Sequence, residues 1–312
     1  MKKSKNSSKT KRRSNNRHNR AWWGYVIALL FVIFIIVWIT RTSEPQATQI
    51  ADSPAGEQTV LSAAKPSVQD EIYSDIGLPE IDCREFFFTN ASGRYSFRYD
   101  TAWRQARWVA HTLTAAEVAV KGAERSNRFR SDPQIINRGF PAAADSDYKK
   151  SGYDRGHLLP SADRDDTSAE NDATFLLSNI SPQRPELNRG VWKNLEEFVR
   201  QISAKYDSVW VVTGSQGDLS DRIGKNRVVV PDYYYKTLLI KIKGVYYAVA
   251  FYIPNQSKLQ KNYSNYAMPV DELEQILNMD FYKGLNDSAE HNAESAVNNK
   301  IWFNKEVDYD TF

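Results

Sequence analysis

The pattern of apolar and polar positions changes character several times along the 312-residue chain. The first long apolar run is AWWGYVIALLFVIFIIVWIT, Ala21 to Thr40, without a single charged residue. Twenty helical residues rise ~30 Å, the hydrocarbon thickness of a bilayer. Trp22, Trp23 and Trp38 lie near its ends, where indole rings favour the membrane interface. A cleaved signal peptide has an apolar core of only about 7–15 residues and a small-residue cleavage site. The run is therefore expected to be an uncleaved single-pass transmembrane helix. Residues 1–20 hold nine Lys or Arg and no acid, which sets this tail in the cytoplasm and the rest of the chain across the membrane. Residues 41–79 show no sustained apolar period and read as a flexible tether.

Beyond the tether the pattern becomes that of a folded domain, residues 80–285. WRQARWVAHTLT (Trp103–Thr114) and SVWVVTGSQG (Ser208–Gly217) read as strands, rich in β-branched and aromatic residues. The segment YYYKTLLIKIKGVYYAVAFYIPN reads as two strands meeting near Gly244. Val191, Leu195, Phe198, Val199 and Ile202 recur at helical spacing in Asn188–Tyr206. A second helix is predicted after Pro269, with Asp271 in its first turn. Strands with interspersed helices, lacking regular alternation, indicate an α+β class. Residues 286–312 read as a polar, partly ordered tail.

Charge refines this picture. The net charge of +3 belongs to the tail; once its nine cations are set aside, 32 basic residues face 38 acidic ones. The chain beyond the tail is thus acidic overall, and any polyanion must be met through a local cationic groove. Cys83 is the single cysteine, which excludes an intramolecular disulfide and a multi-thiolate metal site.

Candidate chemistry concentrates in two stretches. YDRGHLLPSADR (Tyr153–Arg164) places Arg155 and His157 on either side of Gly156. Histidine titrates near neutrality and can serve as a general base. SNISPQRPELNRGVWKNLEEF (Ser178–Phe198) supplies Asn179, Asn188 and Glu196, oxygen donors of the kind hard cations prefer. With Asn188 opening the helix, Trp192 and Glu196 follow on one face. Eight helical residues still cover ~12 Å along the axis, against direct magnesium bonds of about 2.1 Å. One residue should then bind an ion directly and the other through a water. Blander roles compete: a structural turn for DRGH, a helix cap for Asn188, a solvated face for Glu196, a surface ion pair for Arg155.

DRGH, SNISPQ and LNRGVWKNLEE together resemble the DNA/RNA non-specific endonuclease family, which has a ββα-metal active site. RSNRFRSDP before them, and VVTGS, VVVPDYYYK and AFYIPN after them, agree in order and spacing. The resemblance covers residues 80 to 285 and implies a ββα-metal nuclease fold with a central mixed sheet. It makes His157 the base that activates the attacking water, Asn188 the direct ligand of one magnesium ion (manganese being the substitute) and Glu196 a ligand through water. Arg155 and Asn179 match supporting positions, and Arg125, with Arg128 as the other candidate, matches a phosphate-stabilising arginine. Tyr153, Asp154 and Trp192 are expected to hold the site together, and His111 and His291 to be ordinary residues. The implied partners are DNA and RNA, with a homodimer as the suggested assembly. The reading is a membrane-anchored, magnesium-dependent, sugar-non-specific endonuclease whose catalytic domain is extracytoplasmic, in a periplasm. Its rivals are a catalytically silent nuclease-like binding module of the cell envelope and a phosphodiesterase of small substrates.

Overall fold

In a computed structural model of the chain, the described residues are 76–79, 86–90, 94–120 and 122–303. The expected basic tail, transmembrane helix and Cys83, and all of the tether up to residue 75, lie outside them. Among the described residues no helix is long and apolar enough to cross a membrane.

Seven strands form the central sheet in the order β1-β2-β3-β6-β9-β10-β11. They are β1 (Phe87–Thr89), β2 (Ser96–Asp100), β3 (Gln105–Thr114), β6 (Ser208–Gln216), β9 (Tyr233–Ile242), β10 (Val245–Pro254) and β11 (Ala267–Met268). Every neighbouring pair is antiparallel. The mixed sheet expected from the sequence is thus corrected to an antiparallel one. The reason is local: the β9–β10 hairpin, for example, turns through Lys243 and Gly244 alone, both at positive φ (49° and 87°). That backbone matches a two-residue turn whose twist suits an antiparallel pair. Outside the sheet, β4 (Asp154–His157) pairs only with β5 (Ile180–Gln183), and β7 (Arg222–Ile223) with β8 (Val228–Val229).

Helices cover both faces of the sheet. The short α1 (Ala115–Ala119), α2 (Pro133–Asn137), α3 (Asp145–Tyr148) and α4 (Ser168–Ala173) precede the long α5 (Trp192–Tyr206). Leu195, Phe198, Val199 and Ile202 of α5 pack with Val109, Leu113, Val211, Leu238 and Phe251 on one face. The opposite face carries Trp108, Trp210, Tyr235 and Leu239 beneath Val270 and Leu273 of α6 (Val270–Leu277) and Ala293 of α7 (Asp287–Glu294). Because helices lie on both sides, the central strands are buried along nearly their whole length, which erases the alternation a half-exposed strand would show.

The ordered chain extends past both expected domain limits. Ile76 and Leu78, in the stretch read as tether, pack on the second face. The stretch read as a polar tail holds α7 and α8 (Asn299–Trp302), with Ile301 and Trp302 in the first-face core. A few apolar residues scattered among polar ones give no period, yet each fills a place on the sheet. Trp302→Ala should therefore lower unfolding free energy by about 3–5 kcal/mol, read from urea denaturation; a change within error would show that this end adds nothing.

Candidate active site

The β4–β5 ribbon followed by α5 builds the site. Asp154 lies opposite Gln183 and His157 opposite Ile180, and strand alternation puts Arg155 and His157 on one side of the ribbon. Gly156 is required by close approach: a Cβ there would collide with Gln183, whose Cγ would be 2.5 Å away. The ribbon is fastened to the sheet through the Pro182 carbonyl, which accepts from Tyr234 Oη (2.9 Å) and Asn255 Nδ2 (3.1 Å). Tyr234 in turn packs edge-on against Trp192 at the start of α5.

The His157 ring is 7% exposed. It sits edge-on to Phe175 (centroids 4.8 Å apart) and Phe129 (5.7 Å). The imidazole donates to the backbone carbonyl of Arg155, and Nε2 is buried without a partner. The donating atom is therefore Nδ1, and the neutral ring holds its lone pair on Nε2. Burial, and then the positive charge of Arg125, push its pKa down to about 3 against the carbonyl bond. This histidine is a proton acceptor at neutral pH.

The two arginine candidates separate clearly. Arg125 lies over the Phe175 ring (4.9 Å), donates to Ser161, and acts electrostatically on both His157 and Glu196. Arg128 is 73% exposed and paired with Asp172 at 2.8 Å. Arg155 is held by Asp145 through Nη2 (2.7 Å) and stacks over Phe129, while its Nε is buried without a partner. It is more than a surface ion pair.

Asn188 does not open the long helix. It lies in a wide turn, Leu187–Val191, whose backbone bends at Gly190 before α5 begins at Trp192. The straight-helix spacing expected between Asn188 and Glu196 therefore does not apply. Nor does Asn188 cap α5: its Nδ2 donates to Asp154 Oδ2 (3.0 Å), an aspartate also gripped by Arg189 at 2.7 and 2.6 Å. Burial would raise the Asp154 pKa, but the bonds from Arg189 and Asn188 prevail and hold it low. With its amide nitrogen so fixed, Asn188 offers Oδ1 to a ligand.

Asn179 has a different part. Fully buried, it bonds the Leu159 amide (2.9 Å), the Leu159 carbonyl (3.0 Å) and the Thr174 carbonyl (2.9 Å). It clamps the segment after His157 and is a positioning residue.

Glu196 is half-buried on α5 and makes no hydrogen bond or salt bridge among the described residues. Burial raises its pKa and Asp163 adds to this, while Lys236, Arg200 and Arg125 oppose it. A desolvated carboxylate without a donor, together with a free amide oxygen on Asn188, fits a hard divalent cation.

Behind Glu196 lies a polar network that the sequence reading missed. Arg200 donates to Asp163 Oδ1 (2.9 Å), and Asp163 Oδ2 lies 3.7 Å from His111 Nε2. Lys236, 1% exposed, donates to Thr213 and lies 5.1 Å from the Trp192 ring. Burial lowers its pKa, and Glu196 and Asp163 counter that. Signals existed: Arg200 follows Glu196 by four residues, and Lys236 is a cation in the middle of a strand buried along most of its length. His111 belongs to this network, buried and pushed down to about 4 by desolvation.

The sequence and the fold are similar to those of known nucleases. The family model for DNA/RNA non-specific endonucleases matches residues 87–288. A nuclease of Nostoc sp. is 34% identical over 215 residues, covering 66% of this chain and 77% of its own. The mitochondrial nuclease EXOG of Danio rerio is 32% identical over 67% of this chain and 64% of its own. Human mitochondrial endonuclease G is 34% identical over 54% and 57%. A chain of the solved EndoG/EndoGI complex superposes with a TM-score of 0.64 at 28% identity, covering 72% of this chain and 96% of that one. The chain is an enzyme of the DNA/RNA non-specific endonuclease family.

Proposed function

We propose that this endonuclease hydrolyses phosphodiester bonds of DNA and RNA with His157 as general base and one divalent cation, magnesium or manganese, held directly by Asn188 and through water by Glu196. The observation that carries the reading is the His157 ring: neutral, oriented by the Arg155 carbonyl, with an unclaimed Nε2. Nε2 takes a proton from water as the water oxygen bonds to phosphorus. One ester P–O bond then breaks, the leaving oxygen takes a proton from solvent to give an alcohol beside the phosphomonoester, and His157 releases its proton to solvent. Arg125 and the free Nε of Arg155 supply charge-assisted donors to the phosphoryl oxygens. A cation bound at Asn188 would neutralise phosphate charge. These residues address the backbone, and no base-reading element is needed for cutting without sequence preference.

Anchoring through residues 21–40, with the catalytic domain outside the cytoplasm, belongs to the same proposal. It is supported by the uncharged run and the basic tail before it. Full-length chain should sediment with membranes and chain lacking residues 1–40 should not; equal partitioning would remove the anchor. A homodimer is the assembly proposed by family likeness.

His157→Ala should reduce nicking of circular plasmid and cleavage of RNA by about 10²–10⁴-fold with nucleic-acid binding retained, and chelator should abolish both activities. Undiminished cutting by the variant removes the mechanism. Intact plasmid with the parent protein would favour the silent binding module, or, if small phosphoesters turn over, the small-substrate reading.

The base must be neutral to accept a proton, so its loss appears as pH falls through the folded pKa. With that value near 3, His157 should contribute no fall in kcat/KM between pH 7 and pH 5. Arg125→Gln removes a repelling charge and should move the His157 limb upward.

Asp154→Ala frees the Asn188 amide and should reduce metal affinity about 10–100-fold, measured as the metal concentration giving half-maximal rate. An unchanged value would show that Asp154 does not orient Asn188.

A further inference from the structure

On the sheet face opposite α5, helices α6 and α7 bring together Asp271, Glu274 and Glu294. One carboxylate oxygen from each lies within 4.8 Å of the others. Glu294 is 3% exposed, and its Oε1 is buried with no hydrogen-bond partner. Glu274 accepts from the Phe281 backbone N–H through Oε1 (2.7 Å), which leaves Oε2 for another ligand. No lysine or arginine pairs with any of the three among the described residues. Burial raises Glu294 first, and the charges acting on it after that are Glu274, Glu290, Asp271 and Asp280, all acidic.

A buried carboxylate facing only other carboxylates is costly unless it is protonated or meets a cation. Hydrogen bonds within the cluster do not remove the cost, because Glu294 Oε1 makes none. Calcium bonds oxygen at about 2.3–2.6 Å and tolerates irregular shells, so opposite ligands stand about 4.6–5.2 Å apart. Magnesium, at about 2.0–2.1 Å, demands a tighter octahedron and prefers to keep its waters.

We propose that Asp271, Glu274 and Glu294 form a second, structural calcium site that ties α6 to α7, separate from the catalytic metal position. Asp271 and Glu274 are one helical turn apart on α6, and Glu294 closes the site from the last residue of α7. Calcium there pins α7 against β10 without touching the phosphodiester chemistry.

The test is equilibrium dialysis of radioactive calcium against the full-length protein carrying Asn188→Ala, so that the catalytic position does not add to the count. One ion per chain is expected, with a melting temperature raised by roughly 2–4 °C or more at saturation. Glu294→Gln should abolish both effects, while its calcium-free melting temperature should equal or exceed the parent's. Asp271→Asn, at a half-buried position, should weaken binding at least tenfold and serves if Glu294→Gln fails to fold. Absence of retained calcium at millimolar concentration overturns the site, as does one equivalent still bound by a folded Glu294→Gln variant or an unchanged calcium affinity in Asp271→Asn. Plasmid cleavage by the parent with magnesium alone reports separately on the proposed catalytic function.

Discussion

One hydrogen bond sets the chemistry of the site: the His157 ring donating to the Arg155 carbonyl. A solvated imidazole would exchange tautomers and titrate near neutrality. Here burial between Phe129 and Phe175 removes the charged form, and the carbonyl selects the tautomer with its lone pair on Nε2. Everything that holds β4 therefore bears on the proton transfer proposed for His157. Asn179 clamps the segment that follows, Gln183 fills the space over Gly156, and Tyr234 with Asn255 fixes the facing strand.

The charged groups on the same face of the sheet follow a related logic. Glu196, Asp163, Arg200 and Lys236 are carried by three different parts of the chain, and each is more buried than an ordinary surface charge. Such groups stabilise one another only while all are in register, and removing one leaves its partner desolvated. The network thus fixes the direction of α5 as well as the field at Glu196. The bend at Gly190 lets Asn188 turn back to Asp154 on the ribbon while Glu196 stays on the helix.

Much of this was readable from residues alone, for identifiable reasons. The strands at 105–114, 208–216, 233–242 and 245–254 announce themselves through β-branched and aromatic runs, and the apolar stripe of α5 through Leu195, Phe198, Val199 and Ile202. DRGH and the Asn188–Glu196 segment pointed to the ribbon and helix that meet. Sheet direction was not legible, because strand content does not determine pairing. The bend before α5 was missed because helical periodicity was extended back through Gly190. Arg125 and Arg128 look alike in sequence; only Phe175 and Asp172, more than forty residues later, distinguish them. The α7 and α8 helices escaped because their apolar residues are too sparse to form a period.

The proline in β5 has one more effect. Pro182 carries no N–H, and its carbonyl is already occupied by Tyr234 and Asn255. A two-stranded ribbon outside a sheet is an invitation to intermolecular strand addition. At its centre the β5 edge has neither a donor nor a free acceptor to extend, so the strand that pairs with the His157 strand is guarded against self-association.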